Sequence, residues 1–229
     1  MDLPINVLAV VAAIAAAVYW LVFCTRQDPG LAGAAVKTAS TALLALALWS
    51  GPGLPAHWAI ALGMTFGAIG DWFLARRGEA AFLAGMAAFG AGHLAYAGGL
   101  AVRSSALGFD AVTGPEAAAL VVLLGLVLST EIWLAPRTGA LRWPVRAYVL
   151  VIGLMGVAVV LLPAHPGQEG LRLGATLFLA SDLMLALRLF VVREPARQAL
   201  LSRLLWPAYW LGQALIAAGA QLYWTPLPG

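Results

Sequence analysis

The chain has 229 residues, of which 62% are hydrophobic and 10% are charged, and its mean hydropathy is +0.91. Soluble domains contain about 45–50% apolar and about 25% charged residues, so a soluble domain is excluded. A helix that crosses the bilayer needs about 20 residues, and eight such helices would leave roughly 70 residues for connections. We therefore expect residues 1–229 to form a single integral-membrane domain, an all-α polytopic bundle with short loops.

Charge and cysteine content exclude several other classes. The net charge is +3 and the isoelectric point is near 9.4, but membrane orientation explains the basic residues, and no nucleic-acid-binding signature accompanies them. We therefore expect no nucleic-acid partner. The single cysteine, Cys24, excludes an internal disulfide framework and a CxxC metal site.

Eight apolar runs are each long enough to cross a membrane. Clusters of glycine and proline separate most of them, as turn formers do. In chain order the runs predict eight transmembrane helices at about residues 4–23, 33–50, 56–75, 80–101, 116–134, 144–162, 171–191 and 204–222.

The basic residues predict the orientation. The even-numbered connections contain only Arg103 and Arg172, whereas the odd-numbered connections and the adjoining helix ends contain eleven basic residues. By the positive-inside rule the odd connections are cytoplasmic and both termini lie outside, in what we expect to be a bacterial inner membrane. Asp2 precedes the first run and Arg26 follows it, the reverse of a cleavable signal, so we expect an uncleaved first helix.

A weak internal similarity relates the two halves of the chain. At an offset of 111 residues Asp71 aligns with Asp182, and Lys37 aligns with Tyr148. Helices one to four and five to eight could therefore be parallel repeats. Residue identity between the halves is low, so a chance similarity is the alternative.

Two intramembrane aspartates are the first functional candidates. An aspartate near a helix centre costs about 2.5–3.5 kcal/mol on insertion, so it needs a partner or a function. Asp182 is predicted about halfway along its helix, and Asp71 about one turn from the cytoplasmic edge, where pairing with Arg76 is the simpler explanation. No cation lies three or four residues from Asp182.

Further polar residues share helix faces. His93 and Tyr96 are three residues apart, and Tyr209 and Gln213 are four apart. Hydrogen bonding between helices would explain each of them without a ligand.

The predicted depth of the polar residues in the membrane indicates that they form one pocket. Lys37 and Glu131 lie near cytoplasmic helix ends, where snorkelling of the lysine and a structural role for the glutamate are the simpler interpretations. Most of the polar candidates map to the cytoplasmic half or the midplane, and together they predict a polar pocket that opens toward the cytoplasm: Lys37, Asp71, Tyr148, Asp182, Tyr209 and Gln213.

Several chemistries do not fit the chain. A three-histidine zinc site would need all of His57, His93 and His165, two of which lie in or beside outer connections. Ser181 is next to Asp182 but points elsewhere on the helix, and neither a GxSxG elbow nor a phosphate-binding GxxxxGK[ST] loop occurs. Two carboxylates in a low-dielectric pocket, in contrast, can divide into an acid and a base and act on an acid-labile ether.

The ordered motifs of the chain resemble the YhhN family of eight-helix membrane proteins, which includes lysoplasmalogenases. The resemblance covers nearly the whole chain and rests on Gly70-Asp71 to Leu74, His93-x-x-Tyr96, Tyr148 with Met155, Phe178-x-x-Ser181-Asp182, and Tyr209-x-x-x-Gln213. The family often has proline after the lysine of the second helix, whereas Thr38 follows Lys37 here.

The resemblance implies hydrolysis of the vinyl ether bond of a lysoplasmalogen to a fatty aldehyde and a glycerophospho-head-group alcohol. The implied partners are this lysophospholipid and the membrane lipids, with no metal and no redox cofactor, and the oligomeric state stays open. Asp71 and Asp182 would be catalytic. The implied substrate-binding residues are Lys37, His93, Tyr96, Tyr148, Ser181, Tyr209 and Gln213.

We expect Asp182 to be the acid, because it should be the more desolvated carboxyl, and Asp71 to be the base, although the reverse assignment fits nearly as well. A proton-coupled transporter of a small molecule or lipid is the main alternative, since intramembrane Asp, Lys and Tyr also build ion pathways. A catalytically silent scaffold is the third.

Overall fold

A computed structural model describes residues 5–26, 28–51 and 54–225. Eight α-helices account for nearly all of these residues, and the described part contains no strand. Each predicted apolar run coincides with one helix. The helices are α1 (Ile5–Val22), α2 (Gly30–Trp49), α3 (Leu54–Leu74), α4 (Glu79–Leu107), α5 (Gly114–Trp133), α6 (Arg142–Val160), α7 (Gln168–Ala186) and α8 (Pro195–Tyr223).

Local sequence signals explain where some helices begin and end. The Thr113 side chain accepts a hydrogen bond from the Glu116 backbone, and the Glu116 carboxylate accepts one from Thr113, which forms a capping box at the start of α5. Gly78 has a φ of 103° just before α4, a conformation that other residues rarely adopt. At its C-terminal end, α7 continues into a π-turn, a single turn of π-helix at Leu187–Val191.

Length and composition agree with a membrane bundle. Within the described residues, five helical segments are long and apolar enough to cross a bilayer: Gly30–Trp49, Glu79–Leu107, Gly114–Arg137, Gly139–Val160 and Gln168–Val191. The apolar segment of the first helix, Asn6–Val22, is shorter. The chain is an integral-membrane helical bundle.

Glycines bring the last two helices of each half into close contact. A Cβ on Gly63 of α3 would lie 2.9 Å from the carbonyl oxygen of Gly92 on α4, and a Cβ on Gly174 of α7 would lie 2.8 Å from that of Gly212 on α8. Small residues allow such an approach of helix backbones in membranes. Since Gly63 and Gly174 are 111 residues apart, this packing supports the predicted repeat.

Aromatic rings fill the centre of the bundle. The Phe178 ring packs at 5.3 Å from Tyr209 and at 4.6 Å from His93, measured between ring centroids, and Phe89 packs at 5.7 Å from Tyr209. These contacts place α4, α7 and α8 at the core of the protein. By contrast, α5 has no buried residue and lies at the periphery.

Candidate active site

Asp71 of α3 lies at the centre of a buried polar cluster. Its Oδ1 is 3.1 Å from the Lys37 Nζ, and its Oδ2 accepts hydrogen bonds from the Thr41 hydroxyl at 2.7 Å and the Tyr209 hydroxyl at 2.8 Å. The Asp71 side chain is 1% exposed. Lys37 and Thr41 are four residues apart on α2, so one helix face supplies both groups. This donor set suits an anionic carboxylate.

The cluster extends away from the carboxylate through α8 to α4. The Gln213 side-chain amide is 3.5 Å from the Tyr209 hydroxyl, and its oxygen accepts a 2.6 Å hydrogen bond from Tyr96. Tyr96 and Gln213 are both buried. The hydrogen bonds therefore hold the Tyr209 hydroxyl at a defined position against Asp71.

Asp182 of α7 forms the second cluster. Its Oδ2 is 3.0 Å from the His93 Nε2 and accepts a 3.3 Å hydrogen bond from the Tyr148 hydroxyl. The other ring nitrogen of His93 lies 2.9 Å from the Met155 sulfur. The contacts with His93 and Tyr148 fix the orientation of the Asp182 carboxyl group.

The two clusters have the same construction. Each aspartate lies on the third helix of its half and contacts the second helix of the same half, through Lys37 for Asp71 and through Tyr148 for Asp182. Each also contacts the fourth helix of the opposite half, through Tyr209 or through His93. The predicted equivalences between the halves thus correspond to equivalent contacts.

Both aspartates line one polar cavity. The volume of this cavity, including the open space at its mouth, is about 1130 Å³. Its lining also includes Lys37, Ser181 and Tyr209. Five basic side chains line it against the two aspartates, namely Arg26, Lys37, Arg76, Arg77 and Arg188.

A second, apolar cavity adjoins the first. It measures about 850 Å³ to its mouth and lies between α4, α5, α6 and α7. Leucine, valine, phenylalanine and other apolar residues form nearly all of its wall, and Thr130, Tyr148 and Asp182 are its polar members. Because Asp182 lines both cavities, its carboxyl group lies where an amphipathic ligand would change from polar to apolar.

The structure corrects two of the simpler interpretations of single residues. Lys37 does not snorkel, because its ammonium group turns inward to Asp71 and its side chain is only 13% exposed. Arg76 packs over the Trp72 ring at 4.6 Å, so Asp71 is paired with Lys37 instead.

The expected order of burial is also wrong. The Asp182 side chain is 10% exposed and that of Asp71 is 1% exposed, because Asp71 is enclosed by α2 and α8 while Asp182 faces the cavities. Greater desolvation therefore does not support Asp182 as the acid.

The remaining predicted residues take two kinds of position. Ser181 lines the polar cavity, but its hydroxyl donates to the Phe178 carbonyl of its own helix. Within the described part of the chain, neither cavity wall includes His93, Tyr96 or Gln213, which lie behind the aspartates and Tyr209. Direct contact of these three residues with a substrate stays a prediction.

Thr41 is a residue of the Asp71 cluster that was not predicted from the sequence. It is buried and donates to Asp71. Its spacing of four residues from Lys37 was the available signal, but buried threonines in membrane helices usually bond to their own backbone.

Another expectation concerns the charged residue Glu131. Arg146 pairs with Glu131 through two nitrogens and joins α5 to α6, which fits the structural role expected of the glutamate. Among the described residues, no three His, Cys, Asp or Glu side chains are grouped so that they could hold a metal ion.

Comparison with known proteins identifies the family. The sequence model of the YhhN family matches residues 32–220. The chain is 31% identical over 226 residues to the Bos taurus protein named lysoplasmalogenase TMEM86A, a match that covers 90% of this chain and 85% of that protein. It is 30% identical over 219 residues to a Mycobacterium bovis protein named lysoplasmalogenase, covering 91% and 80%. No solved structure matches the chain. The chain therefore belongs to the YhhN family.

Proposed function

We propose that this protein is a membrane hydrolase that cleaves the vinyl ether bond of a lysoplasmalogen, releasing a fatty aldehyde and a glycerophospho-head-group alcohol. The observation that carries the proposal is the position of Asp182 on the wall common to a cation-lined polar cavity and an apolar cavity. In a lysoplasmalogen the labile bond lies where the polar head joins the alkenyl tail, which corresponds to the boundary between these two cavities. Relatives named lysoplasmalogenase support the reaction class.

In the proposed first step Asp182 is the general acid. It donates its proton to the second carbon of the alkenyl chain, and the double bond becomes an oxocarbenium ion between the first carbon and the ether oxygen. The position of Asp182 on the wall common to both cavities, where it contacts His93 and Tyr148, supports this assignment.

In the proposed second step Asp71 is the base. Its donors, Lys37, Thr41 and Tyr209, favour the charged form. A water molecule adds to the first carbon and transfers one proton to Asp71, giving a hemiacetal. The hemiacetal then collapses as the bond to the glycerol oxygen breaks. That oxygen receives the proton from Asp71, and the hemiacetal hydroxyl returns a proton to Asp182.

The same cavity supports a cytoplasmic site. Its arginines come from the first, third and seventh connections and the adjoining helix ends, where the basic residues are concentrated: Arg26, Arg76, Arg77 and Arg188. Under the positive-inside rule this face is cytoplasmic and both termini are outside. We propose the bacterial inner membrane as the location of the protein, with the site on its cytoplasmic side.

Purified protein should release aldehyde from a lysoplasmalogen and none from the analogue with a saturated ether. Asp71→Asn and Asp182→Asn should each lower kcat by about 10²–10⁴-fold, the range typical of general acid–base groups. The matched control is Asp110→Asn, an exposed carboxylate that accepts a hydrogen bond from the Ala164 backbone and lines neither cavity described here. Full turnover in both active-site variants would exclude the mechanism.

Transport is the alternative, and relatives that carry an enzyme name do not favour it. Reconstituted vesicles separate the two functions. A hydrolase forms aldehyde without any gradient across the membrane, whereas a proton-coupled transporter accumulates intact substrate only when a gradient is applied.

A further inference from the structure

Arg188 occupies an unusual position beside the polar cavity. It lies in the π-turn that extends α7, six residues beyond Asp182, and its side chain contributes to the cavity lining. Its Nε is buried and has no hydrogen-bond partner among the described residues. A buried guanidinium nitrogen without an acceptor is costly.

The other cations of this lining already have partners. Lys37 pairs with Asp71, and the Arg77 Nε is 3.1 Å from an Asp28 oxygen. Arg76 stacks over Trp72 and Arg26 over Phe23, the latter at 4.9 Å from the ring centroid. Within the described residues, Arg188 has neither a carboxylate at ion-pair distance nor a ring beneath it. The Arg188 guanidinium therefore has donors available to an anionic ligand.

We propose that Arg188 binds the phosphodiester of the substrate head group and thereby selects phospholipids over neutral glycerol ethers. This inference rests on the proposed function, which places the vinyl ether at Asp182. A guanidinium group presents a planar set of donors that fits two oxygens of a phosphate.

The spacing along the helix agrees with the length of the ligand. Six residues of α-helix rise about 9 Å. In a lysoplasmalogen six bonds separate the first alkenyl carbon from the phosphorus, which corresponds to roughly 7 Å for an extended chain with bonds of about 1.5 Å. An alkenyl ether at Asp182 thus brings the phosphate within the reach of an arginine side chain at Arg188.

The test compares two substrates that differ only in the phosphate: a lysoplasmalogen and the corresponding 1-alkenylglycerol. In Arg188→Gln the ratio of their kcat/KM values should fall about 10- to 100-fold, the effect of losing hydrogen bonds to a charged group. Arg188→Lys should recover part of the ratio. Arg193→Gln is the matched control, because Arg193 is exposed and is absent from the walls of the cavities described here.

Binding of the saturated ether lysophospholipid, followed by the intrinsic tryptophan fluorescence to which Trp206 on the cavity wall contributes, provides a second measurement. It should weaken in Arg188→Gln by a similar factor, whereas binding of the alkylglycerol should not follow that change. The inference is overturned if Arg188→Gln changes neither the ratio of the kcat/KM values nor the ratio of the affinities for the phospholipid and the neutral ether. It is also overturned if inorganic phosphate binds the wild type as tightly as the lipid does. If the wild type hydrolyses neither substrate, the proposed function itself fails.

Discussion

The ion pair between Lys37 and Asp71 is a buried interaction whose contribution depends on both partners. Removing the charge of the lysine leaves a carboxylate that is 1% exposed with only hydroxyl donors. Breaking a buried pair in this way costs about 3–5 kcal/mol, whereas replacing both charged groups by neutral ones is often close to neutral. Comparing the stability of the single and double variants therefore separates the structural contribution of the pair from its catalytic role.

We expect Lys37→Met to lower the free energy of unfolding by about 3–5 kcal/mol, and we expect the double variant Lys37→Met with Asp71→Asn to recover most of it. Denaturant unfolding of the detergent-solubilised protein measures both changes. Neither variant should be active, so the recovery must appear in stability alone. A double variant that is less stable than Lys37→Met would contradict a direct coupling of these two groups.

Single residues differ in how far their roles follow from the sequence. Asp71 and Asp182 could be singled out because a carboxylate in an apolar helix is costly wherever it points. The direction of Lys37 could not, since a long side chain near a helix end reaches the interface as easily as the interior. Thr41 was missed for a related reason, as a threonine hydroxyl can be satisfied by its own helix.

At the scale of the helices, close packing of α7 against α8 positions Asp182 relative to Tyr209. The contact depends on glycine, because a Cβ on Gly174 would lie 2.8 Å from both the Gly212 oxygen and the Ile216 nitrogen. These are backbone atoms, which cannot rotate away as a side chain can.

Gly174→Ala should accordingly lower the free energy of unfolding by about 1–3 kcal/mol, the usual cost of overpacking. The control is Gly125→Ala in α5, where a Cβ would have no neighbour within 4 Å. There the better helix propensity of alanine should leave the stability unchanged or higher by up to about 1 kcal/mol. Thermal unfolding of the two variants in the same detergent provides the comparison, and equal loss in both would argue against the glycine contact.

The number and order of the helices followed from hydrophobic runs because each helix must cover about 30 Å of hydrocarbon. The ends were less accurate: α8 begins at Pro195, whereas the apolar run predicted a start near residue 204. Its first turns are polar and lie beyond the run that hydropathy detects. The π-turn at Arg188 had no signal in the sequence, since its hydrogen-bond pattern depends on packing.

For the whole molecule, the decisive feature is the contact between two cavities of opposite character. Lys37, Asp71, Asp182 and Tyr209 of the first could be predicted from their depth, whereas Tyr148 and Gln213, predicted with them, do not line it. The second could not be predicted, because a leucine or valine that lines a cavity looks the same in sequence as one that faces lipid. Val127 and Leu124 of α5 illustrate this: Val127 lines the apolar cavity, while Leu124 is 58% exposed on the outer surface.

If the apolar cavity holds the alkenyl tail, its volume should limit the chain length of the substrate. Val127→Trp places a larger ring in the cavity wall and should raise KM for long alkenyl chains more than for short ones, with a smaller effect on kcat, since the aspartates are untouched. One methylene group in an apolar pocket changes kcat/KM by about 10- to 200-fold. A series of substrates whose chains lengthen by one methylene at a time should therefore reveal the shift. Leu124→Trp adds the same ring on the lipid-facing side and should leave the chain-length profile as in the wild type. A profile that moves equally in both variants would show that the tail lies elsewhere.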